Sequence, residues 1–133
     1  MMVRKEVFEG VGLFDEGYFL YYEEVDFCLR AASAGWECWC VPESRVMHLE
    51  GQATGIGSSK EWPKRRPRYW FEARRRYFRK NLGALRAFLA DIAWLAGHAG
   101  YKVKRRIKGE EGSEPPHIVR DFLQCRLGLR ERL

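Results

Sequence analysis

The sequence has little of what small folds use as covalent or metal staples. Its 133 residues hold four cysteines and three histidines, and the spacing of Cys28, Cys38, Cys40 and Cys125 matches no zinc pattern. The thiols are expected to be reduced and mostly buried. No apolar run opens the chain, because Arg4, Lys5, Glu6 and Glu9 interrupt it, so the N-terminus does not read as a signal peptide and a cytosolic setting is expected. A membrane-spanning stretch is not expected either. The most apolar segment is cut by Arg86, Asp91 and His98, which suits a membrane-surface or protein-packed helix better than a span. No internal repeat is visible. What is present is 46% apolar or aromatic residues, too many for a disordered tail and enough for the core of one domain.

The formal net charge of +6 hides an uneven distribution. Met1 to Ser59 carries 4 basic and 10 acidic residues, Lys60 to Lys108 carries 16 and 3, and Gly109 to Leu133 carries 4 and 5. An acidic block followed by a strongly basic one suggests two jobs rather than one evenly charged surface.

Periodicity predicts a short helix over Arg4 to Val11, closed by Gly12, then turn chemistry through Leu13-Phe14-Asp15-Glu16-Gly17. Tyr18 to Tyr22 reads equally as a buried strand or a packed loop. Val25, Cys28, Leu29 and Ala32 fall at helical spacing, with Glu23, Glu24 and Asp26 in the first turn and Gly35 past the end. Trp36 to Val41 reads as a strand ended by Pro42, and Arg45 to His48 as a second extended piece. Gly51 to Ser59 should be a loop. Pro67 starts a helix with Trp70, Phe71, Tyr77 and Phe78 on one stripe, interrupted near Asn81 and Gly83. A second long helix, Ala84 to Lys108, carries Leu85, Phe88, Leu89, Ile92, Leu95, Ala99 and Val103. A polar linker and a final helix, Ile118 to Leu129, complete the chain.

Two features could carry chemistry. Glu23, Glu24 and Asp26 crowd three carboxylates at a helix start, where one could serve as a base; ordinary complementing of the helix dipole is the plainer reading. His48 follows Glu24 by 24 residues, enough chain to fold back beside it, and an imidazole there is either a divalent-cation ligand or a packed residue.

The stretch Val11-Gly12-Leu13-Phe14-Asp15-Glu16, then Tyr21-Tyr22-Glu23-Glu24-Val25-Asp26-Phe27-Cys28-Leu29-Arg30, with Gly35-Trp36, Val41-Pro42 and His48, resembles the second half of the inverting glycosyltransferases of family two. The nearest likeness is to rhamnosyltransferase-type members that extend cell-surface polysaccharides. The resemblance implies an α/β fold: residues 1-57 as the acceptor and base part of a GT-A nucleotide-diphospho-sugar transferase domain, 58-108 as a basic, aromatic helical extension, and 109-133 as a linker and short helix. It makes Glu24 the catalytic base, with Glu23 as a supporting or alternative base because family members often have the shorter Asp at the position of Glu24. It makes His48 a ligand of a divalent cation, Mg or Mn.

Arg74, Arg75 and Arg76 would contact phosphate or membrane, and the loop holding Gly51, Thr54 and Gly55 would act as a lid or a plain connector. Asp26 and Arg30, one turn apart, read as a structural pair. The implied partners are a nucleotide-diphospho-sugar donor, a glycan or polyprenyl-linked acceptor and an anionic membrane surface, with no nucleic acid. The implied location is peripheral, at the cytoplasmic face of the plasma membrane. The family's upstream nucleotide-binding half and its Asp-x-Asp motif have no counterpart here, so a fragment inactive on its own is expected. The alternative is a basic, aromatic nucleic-acid-binding or membrane-surface interaction protein without catalysis.

Overall fold

The computed structural model describes residues 1–47, 65–109 and 114–129. The described residues form four helices: α1 (Lys5–Val11), α2 (Glu23–Ser33), α3 (Arg68–Lys108) and α4 (Ile118–Leu127). The chain divides into two compact units, Met1–His48 and Leu49–Leu133. Among the described residues there is no strand, which overturns the expected α/β architecture. Trp36 to Met47 has the β-branched and aromatic composition of a strand, but a strand needs a neighbouring edge for its N–H and C=O groups. The described residues of the first unit supply only helices, and Trp39, Val41 and Val46 stand exposed in irregular chain.

The first unit is an α1–α2 pair around Val7, Phe27 and Ala31, with Val3, Phe8, Val11 and Trp36 packed against them. The Phe27 ring lies 5.0 Å from those of both Phe8 and Phe14, tilted against each. Gly12 ends α1 at φ 79°, and its N–H bonds to the Phe8 carbonyl. The helix periodicity of α2 is as expected, but its buried face is not. Val25 is 42% exposed and Ala32 lies on the surface, whereas Asp26, Phe27 and Ala31 point inward. A charged residue replaces a hydrophobe inside because its neighbours neutralise it, as described below.

In the second unit, α3 is broken at Gly83, where φ 79° and ψ 170° leave the helical region. The side-chain amide of Asn81 donates to the Tyr77 carbonyl just before the break. The break turns the chain back on itself, so that Arg74 reaches Asp91: Nη1 lies 2.5 Å from Oδ1, and Nη2 donates to the Ala90 carbonyl. Arg126 of α4 takes the second oxygen of Asp91 at 3.0 Å. Around these charges Phe71, Phe122 and Cys125 form the core, with Trp70, Trp94, Leu95 and Ile118 against it. Trp94 stacks on Phe122 at 4.5 Å.

Arginines of the first α3 arm also close the C-terminal end of α4. Arg75 donates to the Cys125 carbonyl and Arg68 to that of Leu129, which puts cations at the negative end of that helix dipole. Arg65 forms a bidentate pair with Asp121, both bonds 2.8 Å.

The expectation of mostly buried cysteines holds only for Cys125; Cys28 is half-buried, and Cys38 and Cys40 are exposed. Burial pushes the Cys125 thiol up from its ordinary pKa, and does the same to Cys28, helped by Cys38 beside it.

Three substitutions test this unit. Asp91→Ala strands two guanidiniums, one of them buried, and is expected to cost about 3–5 kcal/mol in urea unfolding. Arg68→Ala, which loses an exposed pair with Glu72 and an exposed bond to the Leu129 carbonyl, should cost less. A Cβ at Gly83 meets nothing within 4 Å, so Gly83→Ala reads backbone strain alone; a loss of about 1–3 kcal/mol is expected, with helical circular dichroism retained in the native baseline.

Candidate functional site

The candidate site is the start of α2 and the loop that leads into it. Asp15 begins the turn: its side chain accepts from the Gly17 N–H and its carbonyl from the Tyr18 N–H. Tyr18 is thereby turned inward, and its hydroxyl donates to Asp26 Oδ1 at 3.2 Å. The other carboxylate oxygen of Asp26 accepts from Arg30 Nε at 3.0 Å. Arg30 then reaches back along the loop, donating through Nη2 to the Leu13 carbonyl at 2.7 Å and through Nη1 to that of Val11. One guanidinium therefore ties together the end of α1, the loop and α2. Asp26 and Arg30 are structural, as expected, but their reach extends well beyond a helical turn. Tyr18 was not foreseen as a partner; only its place eight residues before an acid hinted at it.

The loop enters α2 through two left-handed residues. Tyr21 and Tyr22 have φ of 71° and 68°, a region that side chains with a Cβ occupy at a cost of about 1–3 kcal/mol each and one that clusters at functional sites. The following acids are set out differently. Glu24 is exposed, and Glu23 is half-buried with its Oε2 covered and without a hydrogen-bond partner among the described residues. A covered carboxylate oxygen with no donor keeps its capacity to accept a hydrogen bond. All three first-turn acids sit at the positive end of the helix dipole.

The remaining candidates are not gathered here. His48 and the lid residues Gly51, Thr54 and Gly55 lie outside the described residues. Among the described residues no group of three or more His, Cys, Asp or Glu side chains could hold a metal ion. Arg74, Arg75 and Arg76 belong to the second unit. Arg74 is buried on Asp91 with its guanidinium over Phe78 and Phe122, Arg75 holds the Cys125 carbonyl, and Arg76 alone of the three is exposed.

Comparison with known proteins points to sugar transfer. Over 55 residues, 41% of this chain and 18% of the relative, the sequence is 44% identical to an N-acetylglucosaminyl-diphospho-decaprenol L-rhamnosyltransferase of Mycobacterium tuberculosis. It is 44% identical over 48 residues, 36% of this chain and 18% of the relative, to a rhamnosyltransferase of Escherichia coli. It is 40% identical over 50 residues, 38% and 17% of the two chains, to a dTDP-rhamnosyl transferase of Shigella flexneri. The chain spans less than one fifth of the length of these curated relatives. No family model and no solved structure matches it. The chain is thus similar, over one segment, to glycosyltransferases that act in glycan biosynthesis.

The clasp can be tested directly. Asp26→Ala leaves the Arg30 guanidinium half-buried without its carboxylate, and Arg30→Lys cannot reproduce three directed donors. Both should unfold the first unit at lower urea, Asp26→Ala by about 3–5 kcal/mol, with faster amide exchange in α1 and α2. Native-like exchange in both variants would refute the clasp.

Proposed function

We propose that this chain supplies the acceptor-activating part of a glycosyltransferase that moves a sugar from a nucleotide-diphosphate donor to a glycan or polyprenyl-linked acceptor, with rhamnose the favoured sugar. The observation that carries the proposal is the pair of adjacent carboxylates, Glu23 and Glu24, held at the start of α2 behind two strained tyrosines. The segment similarity to rhamnosyltransferases supports it.

A sugar hydroxyl is a poor nucleophile near neutral pH and needs a carboxylate within hydrogen-bond reach to take its proton. Glu24, exposed on the surface, can meet an acceptor arriving from solvent. Its carboxylate takes the hydroxyl proton while the acceptor oxygen bonds to the anomeric carbon and the bond to the diphosphate breaks, with inversion at that carbon. The electron pair leaves on the nucleoside diphosphate, where cationic groups would offset the charge. Glu23 is the supporting or alternative base. The resemblance also assigns His48, which lies outside the described residues, to a divalent cation, Mg or Mn, which would supply positive charge to the leaving diphosphate.

The test is a chimera in which the matching segment of the Shigella flexneri dTDP-rhamnosyl transferase is replaced by residues 1–57 of this chain. Rhamnose transfer from dTDP-rhamnose is expected to survive the exchange. Glu24→Gln in the chimera should then lower kcat about a hundred- to ten-thousand-fold with little change in KM, and Glu23→Gln should cost less. An active chimera that keeps its full rate after Glu24→Gln removes Glu24 as the base. The same result with the rate lost only in Glu23→Gln transfers the role to Glu23.

A further inference from the structure

The second arm of α3 packs inward through Ala87, Asp91, Trp94 and Leu95. Its other large aliphatic side chains point the other way. Leu85 is 71% exposed, Leu89 53%, Ile92 47%, Val103 57% and Ile107 81%. At 3.6 residues per turn these five fall within one narrow sector of the helix surface, with Ala96 and Gly100 filling the line between them. The stripe is about 33 Å long, at 1.5 Å per residue. No described part of the chain covers it.

We propose that this face of α3, from Leu85 to Ile107, docks on an anionic lipid surface with the helix lying in the plane of the interface. Charge complementarity selects that occupant. Residues 65–109 carry 14 Lys and Arg against Glu72 and Asp91, and both acids are already engaged, Glu72 by Arg68 and Asp91 by Arg74 and Arg126. Arg86 and Lys104 stand beside the stripe, and Arg106 and Lys108 at its end, all exposed. An apolar line flanked by cations is the pattern of a helix whose side chains enter the acyl boundary while its basic groups meet acidic headgroups.

The other occupants fit less well. A second copy of the chain would bring the same rows of cations against each other. A nucleic acid would need ring faces to stack on, whereas the stripe is aliphatic, Phe71, Trp70 and Trp94 pack in or against the core, and the half-exposed rings of Phe88 and Tyr101 on this arm already carry the guanidiniums of Arg126 and Arg105. No described helix is long and apolar enough to cross a membrane. The surface also differs from the expected contact at Arg74 and Arg75, whose guanidiniums are taken up inside the unit.

Flotation of the full chain with vesicles tests the proposal independently of sugar transfer, because Glu24→Gln should float as the unaltered chain does. The chain is expected to float with phosphatidylcholine vesicles containing phosphatidylglycerol, to stay behind with phosphatidylcholine alone, and to bind less as salt rises. Leu89→Glu combined with Ile92→Glu should lower binding at least about tenfold, whereas Val46→Glu, also on an exposed side chain, should not. Arg86→Glu with Lys104→Glu, which leaves the aliphatic line intact, should weaken binding to the acidic vesicles. The proposal falls if the Leu89 and Ile92 variant floats unchanged, if both vesicle types bind equally, or if the chain binds neither. It falls equally if the stripe residues govern self-association in sedimentation, or if single-stranded DNA is bound at equal salt while vesicles are not.

Discussion

Asp26 has no exposed surface at all, and the geometry of the first unit follows from how that burial is made tolerable. A carboxylate removed from water is stable only if both oxygens are met, and here Tyr18 takes one and Arg30 the other. Meeting that demand fixes everything nearby. Tyr18 must be inside, which requires the Asp15 turn; Arg30 must lie across the loop, where its remaining donors bind the carbonyls of Val11 and Leu13. The loop held in this way enters α2 through the left-handed Tyr21 and Tyr22. Glu23 and Glu24 are placed by the same clasp that hides Asp26.

The second unit uses the same device. Asp91 sits between Arg74 and Arg126, and Asp121 under Arg65. These pairs are also where the basic block is consumed. A stretch that reads in the sequence as one long cationic surface is, in the structure, divided between arginines that brace the fold and cations that remain outside on the second arm of α3.

That division explains what could be read from the sequence and what could not. The helices were legible, because 3.6-residue spacing, Pro67, Gly12 and the interruption near Gly83 are local signals. Their inward faces were not. In α2 the spacing of Val25, Cys28, Leu29 and Ala32 suggested the core side, and in α3 the apolar residues from Leu85 to Val103 fitted a membrane-surface and a protein-packed helix alike; in both the buried side carries an aspartate paired with arginine. Periodicity counts a charged residue as exposed, and it cannot see a guanidinium arriving from 17 residues away, as Arg74 does at Asp91. The expected strands failed for a related reason: Trp39, Val41 and Val46 have the side chains of a sheet, but pairing is a property of two segments, and the described residues of that unit offer no second one. The acid triad at the α2 start was legible as a cluster, since it is contiguous. The separate environments of its members were not, because the burial of Asp26 depends on Tyr18 and Arg30, which lie outside the cluster.

An arginine–aspartate interior has a further consequence for the apolar surface. Hydrophobic side chains that would ordinarily fill the core of so small a unit are displaced to the outside when a charged pair occupies the inner face. A helix built this way presents its aliphatic stripe to whatever lies beyond it, and the exposed stripe costs free energy in water until something covers it. Burying the pair inside also sets which cations are left to guide that contact, since Arg74, Arg75 and Arg126 are held by the fold while Arg86 and Lys104 are not needed for it. The internal electrostatics and the outward-facing apolar line on α3 are therefore two sides of one arrangement, in which the buried aspartate decides which face of the helix is free.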